Sequence, residues 1–345
     1  MTAKLGTRTQ TRGPLVLLML LTAGCGAEDT IPRRAPSGSA HGTGTLWSVT
    51  QGVPYLRGID RATGEVQVDV EVAQGATNIF SLVAGNGQVW LGRTDGVVLA
   101  VRAGAIQKQE MIGEDDVEAL ALCADSAYAA TGSHVAPRLI RYDAADLSQQ
   151  AEAPVLDVSA RFESLACDGE HLFVLGGNDF RVHQLDRETL ATLRTTPVGV
   201  DPSDPSTLGE FGGGGFMVEV AASLWVVDID SGALISVNKE TLAARVAGDV
   251  SDLLVPEGYM ELVSNGTDFF FALSGQGVVV GFDGATGARK RTYAVTDGVG
   301  HVAASGEHLY VRTENAPEKI LELDLASSEL LRTFEDVPGD RIAVE

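Results

Sequence analysis

Basic side chains are scarce in this sequence. Its 345 residues include 25 Lys and Arg against 47 Asp and Glu, which gives a formal net charge of −22 at pH 7. A charge of this sign repels phosphate groups and anionic lipid headgroups, and no basic patch offsets the repulsion. The composition therefore argues against nucleic acid as a partner and is typical of a soluble, well-solvated surface.

Cysteine and long apolar runs are also rare. Three cysteines are too few for a cysteine-rich metal cluster, and no phosphate-binding glycine loop or serine-nucleophile elbow occurs. The apolar stretch PLVLLMLL at 14–21 is too short to cross a bilayer as a permanent helix. With 44% hydrophobic residues the chain can still bury a sizeable core, so we predict a globular protein.

The N-terminus is organised as an export signal. Lys4, Arg8 and Arg12 precede the apolar stretch, which is followed by TAGC ending at Cys25. The segment LLTAGC resembles the lipobox of bacterial lipoproteins, in which the cysteine becomes the acylated first residue of the mature chain. Thr22 departs from the leucine that is most common at its place. The alternative is an ordinary signal peptide with a cysteine after it by chance.

The lipobox resemblance implies a membrane anchor. Several acyl chains on Cys25 would hold the protein stably, and Gly26 after it favours the outer over the inner membrane. The following residues, up to 44, are rich in Pro, Gly and Ser, which is typical of a flexible tether. We therefore predict a signal peptide over 1–24, a tether over 25–44 and an extracytoplasmic folded domain over 45–345.

A repeat runs through the predicted domain. Each copy has an apolar strand, a polar turn and a short strand centred on an aromatic residue. These aromatics are Trp47, Trp90, Tyr128, Phe173, Trp225, Phe271 and Tyr310. Neighbouring aromatics are 38 to 52 residues apart, which matches the length of a four-stranded propeller blade. The two GEHL stretches, at 169–172 and 306–309, mark the same place in two copies.

A second signature follows most of the aromatic strands. An Asp or Asn opens a turn that continues with Thr, Gly or Ser. These residues are Asp60, Asp186, Asn238, Asp283 and Asp324, with Asp143 a weaker match. Such a side chain accepts hydrogen bonds from backbone N–H groups two residues on, which closes a tight turn. The second copy has VRAGAI at 101–106 instead, so its blade is the least regular.

Seven aromatic strands predict seven blades. The first copy begins directly at LWSV, 46–49, with no innermost strand before it, whereas the C-terminal GDRIAVE has the form of the strand that opens other blades. We predict that 342–345 pairs inside the first blade, because such closure removes exposed sheet edges. The expected fold is all-β, a seven-bladed β-propeller of four-stranded blades, and we expect a monomer.

This layout resembles the YVTN, NHL and quinoprotein-like β-propellers. Their blades carry the same aromatic strand followed by an Asp-x-x-Thr-Gly turn, and the resemblance covers residues 45–345. It implies the fold and leaves the function open, since propellers serve as binding platforms, scaffolds and enzymes alike.

Acidic residues recur near the start of the predicted innermost strands. They are Glu118, Glu163, Glu219 and Glu261, and His301 opens another such strand. Because innermost strands face the axial channel, we expect these side chains at one channel mouth, where like charges would favour a divalent cation. The alternative is that the acids only cap solvated strand ends, since side chains alternate along a strand. SMP-30-type propellers bind a metal there, but their motifs are absent, and no other cofactor is implied.

The Glu-His pairs of the GEHL stretches invite a catalytic interpretation. Glu170-His171 and Glu307-His308 lie three blades apart on a closed ring, so they face nearly opposite sides and cannot form one site. We interpret each pair as a polar turn with an exposed imidazole. Streptogramin lyases use a His-Glu-His set on a propeller, but no motif of that family surrounds His134, His183 or His301.

Two cysteines remain besides the lipobox cysteine. Cys123 and Cys167 end innermost strands of adjacent predicted blades. An exported protein can hold a disulfide between them if their Cα atoms come within about 7 Å. Two buried free thiols are the alternative.

The sequence supports two functional hypotheses. The first is a non-enzymatic binding or protein-interaction propeller, tethered by lipid to the bacterial envelope, whose ligand is a protein or a small molecule. The second is a propeller enzyme of lyase or lactonase type with its site at the channel mouth around His301. A cluster at metal-ligand distance would favour the enzyme, and an apolar channel would favour binding. The long insertion at 199–216 is either a ligand-contacting loop or a solvated linker.

Overall fold

The fold is given by a computed structural model. The structure describes residues 44–50, 55–72, 78–132, 137–153, 162–177, 179–201, 204–209, 214–254, 260–315, 317–335, 337 and 339–345. The predicted signal peptide, the acylation site Cys25 and nearly all of the tether lie outside these residues and stay predictions. Among the described residues, no helix has the length and apolar character needed to span a membrane.

Seven four-stranded antiparallel sheets form the domain. The strands of the first four sheets are β1 (Thr45–Val49), β2 (Tyr55–Asp60), β3 (Val66–Glu71), β4 (Ile79–Gly85), β5 (Gln88–Arg93), β6 (Val97–Arg102), β7 (Ala105–Met111), β8 (Val117–Cys123), β9 (Ser126–Thr131), β10 (Leu139–Asp143), β11 (Gln149–Glu152), β12 (Phe162–Cys167), β13 (His171–Gly176), β14 (Arg181–Asp186) and β15 (Thr192–Pro197). Each sheet except the first follows chain order from the channel outwards.

A short hairpin separates the fourth sheet from the last three. The remaining strands are β16 (Gly199–Asp201), β17 (Asp204–Gly209), β18 (Gly215–Val220), β19 (Ser223–Asp228), β20 (Ala233–Asn238), β21 (Ala244–Asp249), β22 (Met260–Ser264), β23 (Asp268–Leu273), β24 (Val278–Asp283), β25 (Arg289–Ala294), β26 (His301–Ser305), β27 (His308–Arg312), β28 (Ile320–Asp324), β29 (Leu330–Phe334) and β30 (Arg341–Val344). A 3-10 turn, Ser274–Gln276, joins β23 to β24.

The C-terminal strand closes the ring, as predicted. Strand β30 pairs with β1 and is the innermost strand of the first blade, in which the order is β3, β2, β1, β30. It also packs against β4 and β26, the innermost strands of the blades on either side. The seven-bladed β-propeller is therefore confirmed, and the first blade is assembled from both ends of the domain.

The core lies between blades rather than inside them. Central strands such as β5 and β9 are buried along their whole length, whereas outermost strands such as β3 and β15 expose most of their side chains. Large aromatics fill the spaces between neighbouring sheets, as Trp90 does against Tyr142 with ring centroids 5.2 Å apart. Stability is therefore tied to blade neighbours, which face each other through apolar surfaces.

The structure corrects one aromatic position of the predicted repeat, Phe271. In six blades the predicted aromatic is the third residue of the second strand, but in the sixth blade that residue is Phe270, which pairs with Gly281. Phe271 points to the opposite face of the sheet, because side chains alternate along a strand. Three consecutive phenylalanines, 269–271, hide the register in the sequence.

The acidic turns form as predicted. In each, the side-chain oxygen accepts backbone N–H groups, as Asp186 does from Thr189 at 2.7 Å. The fifth turn residue has a left-handed backbone in six blades and donates its N–H to the carbonyl of the first. These fifth residues are Gly64, Leu147, Leu190, Leu242, Gly287 and Ser328. The second blade instead turns through Ala103 and Gly104, both with positive φ.

These turns also join the blades. The carbonyl oxygen of the residue after the turn acid accepts a side-chain hydrogen bond from the preceding blade, and we name this contact the blade lock. The donors Arg102, Tyr128, Gln184, Trp225, Tyr293 and Arg332 reach, respectively, the carbonyls of Ala144, Arg187, Lys239, Gly284, Leu325 and Arg61. The second blade lacks the acidic turn and receives no such lock among the described residues.

The long insertion between the fourth and fifth blades is largely ordered as a hairpin. Strands β16 and β17 pair with each other, and β17 lies beside β21. Val200 is buried, and Leu208 packs against the core shared by the fourth and fifth blades. This part of the insertion is therefore a structural addition to the blade, while its glycine-rich remainder at 210–213 lies outside the described residues.

Candidate functional site

A cavity of about 550 Å³ opens at the end of the channel where the innermost strands begin. Its walls combine acidic, basic and apolar side chains. The lining includes Phe80, Glu118, Glu163, Phe216, Glu261 and Arg341. We refer to this cavity as the channel mouth. Its volume falls in the range of small-molecule sites, which is about 300–1,000 Å³.

Three β-bulges shape the channel mouth. The pairing of β4, β8 and β12 with their neighbours skips one residue near the start of each strand. The skipped residues are Phe80, Glu118 and Glu163, and all three line the cavity. Because a bulge re-aims the side chain of its extra residue and is often found beside functional sites, the bulges explain why these three neighbours converge.

Glu118 is held in a space that only glycine leaves open. A Cβ atom on Gly132 would lie 1.9 Å from the carboxyl carbon of Glu118. The N–H of Gly132 donates to the carbonyl of Asp116 at 3.0 Å, which fixes the backbone there. The position of the Glu118 carboxyl therefore depends on the absence of a side chain at 132.

A second polar group stands across the channel mouth. Oε2 of Glu261 accepts the N–H of Val302 at 2.8 Å and lies 3.4 Å from Nδ1 of His301. Burial of the Glu261 carboxyl raises its pKa, but His301, the Val302 N–H and the positive charge of Arg341 outweigh burial and lower the pKa below its usual 4.5. Glu261 is therefore a carboxylate at neutral pH.

Arg341 links this group to the bulged strands. Its Nε donates to the carbonyl of Ile79 at 3.1 Å, and its guanidinium lies 5.4 Å from the ring centre of Phe80. The cation–π contact and the hydrogen bond hold the side chain against the first bulge. The mouth thus carries the carboxyl groups of Glu118 and Glu163 together with the guanidinium of Arg341.

Four of the five predicted mouth residues come together. Glu118, Glu163 and Glu261 line the cavity, and His301 contacts Glu261 behind it. Glu219 is not part of this group. It is the fifth residue of β18, whereas the other acids are second in their strands, and it forms an ion pair with Lys239. The second residue of β18, Phe216, takes the place at the mouth.

Phe80 and Arg341 are mouth residues that the sequence interpretation missed. Phe80 has a detectable signal, because IFSL at 79–82 aligns with VEAL at 117–120 and FESL at 162–165. The aligned second residues are the three bulge residues. Arg341 could not be found in this way, since its strand reaches the ring only through closure by the C-terminus.

The other histidines that the structure describes, His171, His183 and His308, do not approach the mouth. His183 lies in the third strand of its blade, with Nε2 3.3 Å from the carboxylate of Asp179. His171 is partly exposed beside Asp168, as a turn residue should be. His308 differs from our expectation of an exposed imidazole, because it is buried with Nδ1 3.2 Å from the buried carboxylate of Glu322. His134 lies outside the described residues.

A disulfide fastens the strands that carry the two bulge acids. Cys123 and Cys167 are bonded in the structure, with their Cα atoms 6.1 Å apart. They end β8 and β12, the strands that begin at the mouth with Glu118 and Glu163. The bond therefore restrains the relative sliding of these strands from the opposite end of the channel.

The described part of the chain does not supply a metal centre. Within the part of the chain that the structure describes, no three His, Cys, Asp or Glu side chains come close enough together to hold a metal ion. The mouth acids Glu118, Glu163 and Glu261 are instead distributed around the rim, where Glu261 contacts His301. This arrangement suits recognition of a ligand by charge and shape.

Comparison with known proteins supports the fold alone. No protein-family model and no curated protein sequence matches the chain. Similar solved structures include a functionally unknown protein from Desulfotomaculum acetoxidans (TM-score 0.63, 10% identity, 88% of this chain and 99% of that one). AztD from Citrobacter koseri (0.56, 13%, 87% and 97%) and BamB from Moraxella catarrhalis (0.52, 16%, 86% and 83%) are also similar. The membership of the YVTN or NHL group stays a prediction.

Proposed function

We propose that this protein is a non-enzymatic binding module of the bacterial envelope, and that it binds its ligand at the channel mouth. The observation that carries the proposal is the set of three bulges, which turn Phe80, Glu118 and Glu163 from adjacent blades into one cavity. Bulges interrupt the hydrogen-bond ladder, so their repetition at one rim favours a functional role. The enzyme hypothesis gains no support, because His301 is the only histidine among the described residues to approach this rim.

The mouth favours a ligand that is both cationic and partly apolar. Glu118 and Glu163 supply negative charge on one side, and Phe80, Phe216 and Met260 supply apolar surface. The net charge of −22 attracts such a ligand over longer distances. A basic side chain flanked by apolar residues, as in a segment of a partner protein, has this chemistry.

A second part of the proposal is a lipid anchor at Cys25 with the domain held outside the cytoplasm. The support is the order of cationic, apolar and small residues that ends in TAGC. A Cys25→Ser variant should leave the membrane fraction of cells that retain the wild-type protein there. Mass spectrometry of the mature N-terminus should show acylation only in the wild type, and an unmodified wild-type cysteine would disprove the anchor.

The mouth can be tested with defined peptides. We expect short amidated peptides with Arg or Lys beside Leu or Phe to raise the melting temperature of the domain from residue 26 onward, and Glu-containing counterparts to have no effect. The double variant Glu118→Gln, Glu163→Gln should lose this response. Glu219→Gln is the matched control, because Glu219 is also an acid of an innermost strand but does not line the mouth. An unchanged response in the double variant would overturn the proposed site.

A further inference from the structure

The seven boundaries between blades share one arrangement with local variations. The third residue of each second strand faces the next blade, and a residue of the third strand lies opposite it. The facing pairs are Trp47 and Gly58, Trp90 and Ala100, Tyr128 and Arg141, Phe173 and Gln184, Trp225 and Ser236, Phe270 and Gly281, and Tyr310 and Glu322. Most pairs contain a large polar-tipped side chain that fills the boundary or supplies the blade lock.

At the boundary between the sixth and seventh blades, the facing pair, Phe270 and Gly281, has no polar side-chain group. Phe270 carries no hydrogen-bond donor, and Gly281 carries no side chain. At Gly58, the other glycine of the set, a Cβ atom would lie 2.7 Å from the ring of Trp47, so the indole already occupies that space. At Gly281 the nearest atoms, from Phe270 and Tyr293, are 3.3 Å or more away. Here the facing pair leaves room.

A pocket of about 430 Å³ occupies this boundary. Phe270 and Tyr293 form its aromatic walls, and Lys290, Arg291 and Glu307 line it with charge. The blade lock at this boundary comes from Tyr293 of the outermost strand, whose hydroxyl donates to the carbonyl of Leu325 at 3.0 Å. The outermost strand therefore makes the lock at this boundary, and the pocket lies beside it.

The equivalent place at the preceding boundary shows what fits there. The indole of Trp225 stacks on Phe269 with ring centroids 4.9 Å apart and donates Nε1–H to the carbonyl of Gly284 at 2.9 Å. The same backbone position in the next blade is Leu325, which lines the pocket. The protein therefore fills one boundary with an indole and leaves the corresponding boundary open.

We propose that the pocket between the sixth and seventh blades binds a tryptophan side chain of a partner protein. The aromatic walls accept the ring by stacking, and the cationic side chains of Lys290 and Arg291 favour an indole face over an aliphatic group. The carboxylate of Glu307 offers an acceptor for the indole N–H. Tryptophan is also among the residues that most often anchor protein interfaces. The site is separate from the channel mouth and does not rest on the function proposed there.

The charged side chains are already held in place for this role. Lys290 Nζ contacts Asp268 at 2.7 Å, and Arg291 donates to the carbonyl of Ala326 in the seventh blade. These contacts position the cations beside the aromatic walls without occupying the pocket. Glu307, Gly306 and Ala326 are exposed, so the pocket opens to solvent at its rim.

N-acetyl-tryptophanamide is a direct probe of this pocket. Saturation-transfer NMR with the folded domain should show transfer to the indole protons and none to N-acetyl-leucinamide at the same concentration. Phe270→Trp should abolish the transfer, because the new indole occupies the pocket as Trp225 does at the preceding boundary. Gly281→Gln should also abolish the transfer. The fourth blade already accommodates a glutamine, Gln184, at the equivalent position. The melting temperature of each variant reports whether the fold is retained.

Two controls separate this pocket from other sites. The mouth variant Glu118→Gln, Glu163→Gln should keep the transfer to the indole. A pentapeptide centred on Trp should bind more tightly than free indole if the natural occupant is a protein segment. Equal binding of free indole would reassign the pocket to a small aromatic molecule, and transfer that persists in both filling variants would overturn the site altogether.

Discussion

Arg61 of the first blade donates a hydrogen bond from Nε to the hydroxyl oxygen of Tyr310 in the seventh blade, at 2.7 Å. The two residues are 249 positions apart, and both are buried. The Tyr310 hydroxyl in turn donates to the buried carboxylate of Glu322 at 2.9 Å. One hydroxyl thus joins a buried cation to a buried anion at the boundary where the ring closes.

Removing that hydroxyl should be costly. Tyr310→Phe leaves Arg61 and Glu322 without their shared partner, and hydrogen bonds to buried charged groups are worth about 1.5–3 kcal/mol. Tyr128→Phe is a matched control, since Tyr128 donates only to the neutral carbonyl of Arg187. Urea unfolding should show the larger loss of unfolding free energy for Tyr310→Phe, and equal losses would contradict the linking role.

Two glycines of the acidic turns should differ in their tolerance of a methyl group. Gly64→Ala places alanine in a left-handed backbone, which costs about 1–2 kcal/mol. Its Cβ makes only ordinary van der Waals contacts, with Arg332 at 3.4 Å and Phe334 at 3.7 Å. Gly287→Ala adds a Cβ 2.5 Å from the ring of Trp225. We expect the loss of unfolding free energy for Gly287→Ala to be about 2–5 kcal/mol, because overpacking adds to the backbone cost. Similar losses in the two variants would contradict the close packing of Trp225.

Deleting residues 341–345 should destabilise the whole domain rather than one blade. The deletion removes β30, exposes the edge of β1 and takes Ile342 from the core between the seventh and first blades. Calorimetry should show a lower melting temperature and a broader transition. Glu345→Gln, which keeps the strand, serves as the control. An unchanged melting temperature in the deletion would show that β30 does not close the ring.

The disulfide should be present in the folded domain and should contribute to its stability. The bond closes a loop across a sequence separation of 44 residues, for which the chain-entropy model gives about 4 kcal/mol. Thiol titration of the denatured domain from residue 26 onward should find no free cysteine without a reductant. The double variant Cys123→Ser, Cys167→Ser should unfold at a lower urea concentration. Two titratable thiols would favour the free-thiol alternative.

Glu261 should make stability depend on pH at the acidic end. Its pKa in the folded protein is lowered from 4.5, so its contribution is present above the unfolded value and is lost as the pH falls through the folded value. The wild type should therefore be more stable than Glu261→Gln at neutral pH, with the difference shrinking below pH 4.5. A difference that is constant across this range in denaturant titrations would show that the charge on Glu261 does not matter.

The ring was predictable because its two signatures have separate physical causes. The aromatic strand is required by packing between blades, and the turn acid is required by unpaired backbone N–H groups, so both survive in most copies. The order of the blades and the closing role of β30 followed from counting these signals. The prediction of Phe271 instead of Phe270 was wrong because three phenylalanines in a row remove the period-two pattern. That pattern normally reveals which face of the sheet a side chain points to.

The channel mouth was only partly predictable. Glu118, Glu163 and Glu261 could be found because each is the second residue of an innermost strand. Glu219 was misplaced because the insertion before the fifth blade hides where β18 begins. The bulges could not be foreseen, since a one-residue change in pairing depends on the neighbouring strand. The shared pattern at 79–82, 117–120 and 162–165 aligns the three residues without showing that they are bulged.

The blade lock allows neighbouring blades of the ring to change independently of one another. The donor is a side chain, but the acceptor is a backbone carbonyl, which every residue type provides. Donors as different as Arg102, Gln184 and Trp225 satisfy the same acceptor position. A blade can therefore diverge, be duplicated or be exchanged without a matching substitution in its neighbour. Such freedom lets the sequence of one blade drift while the ring keeps its architecture.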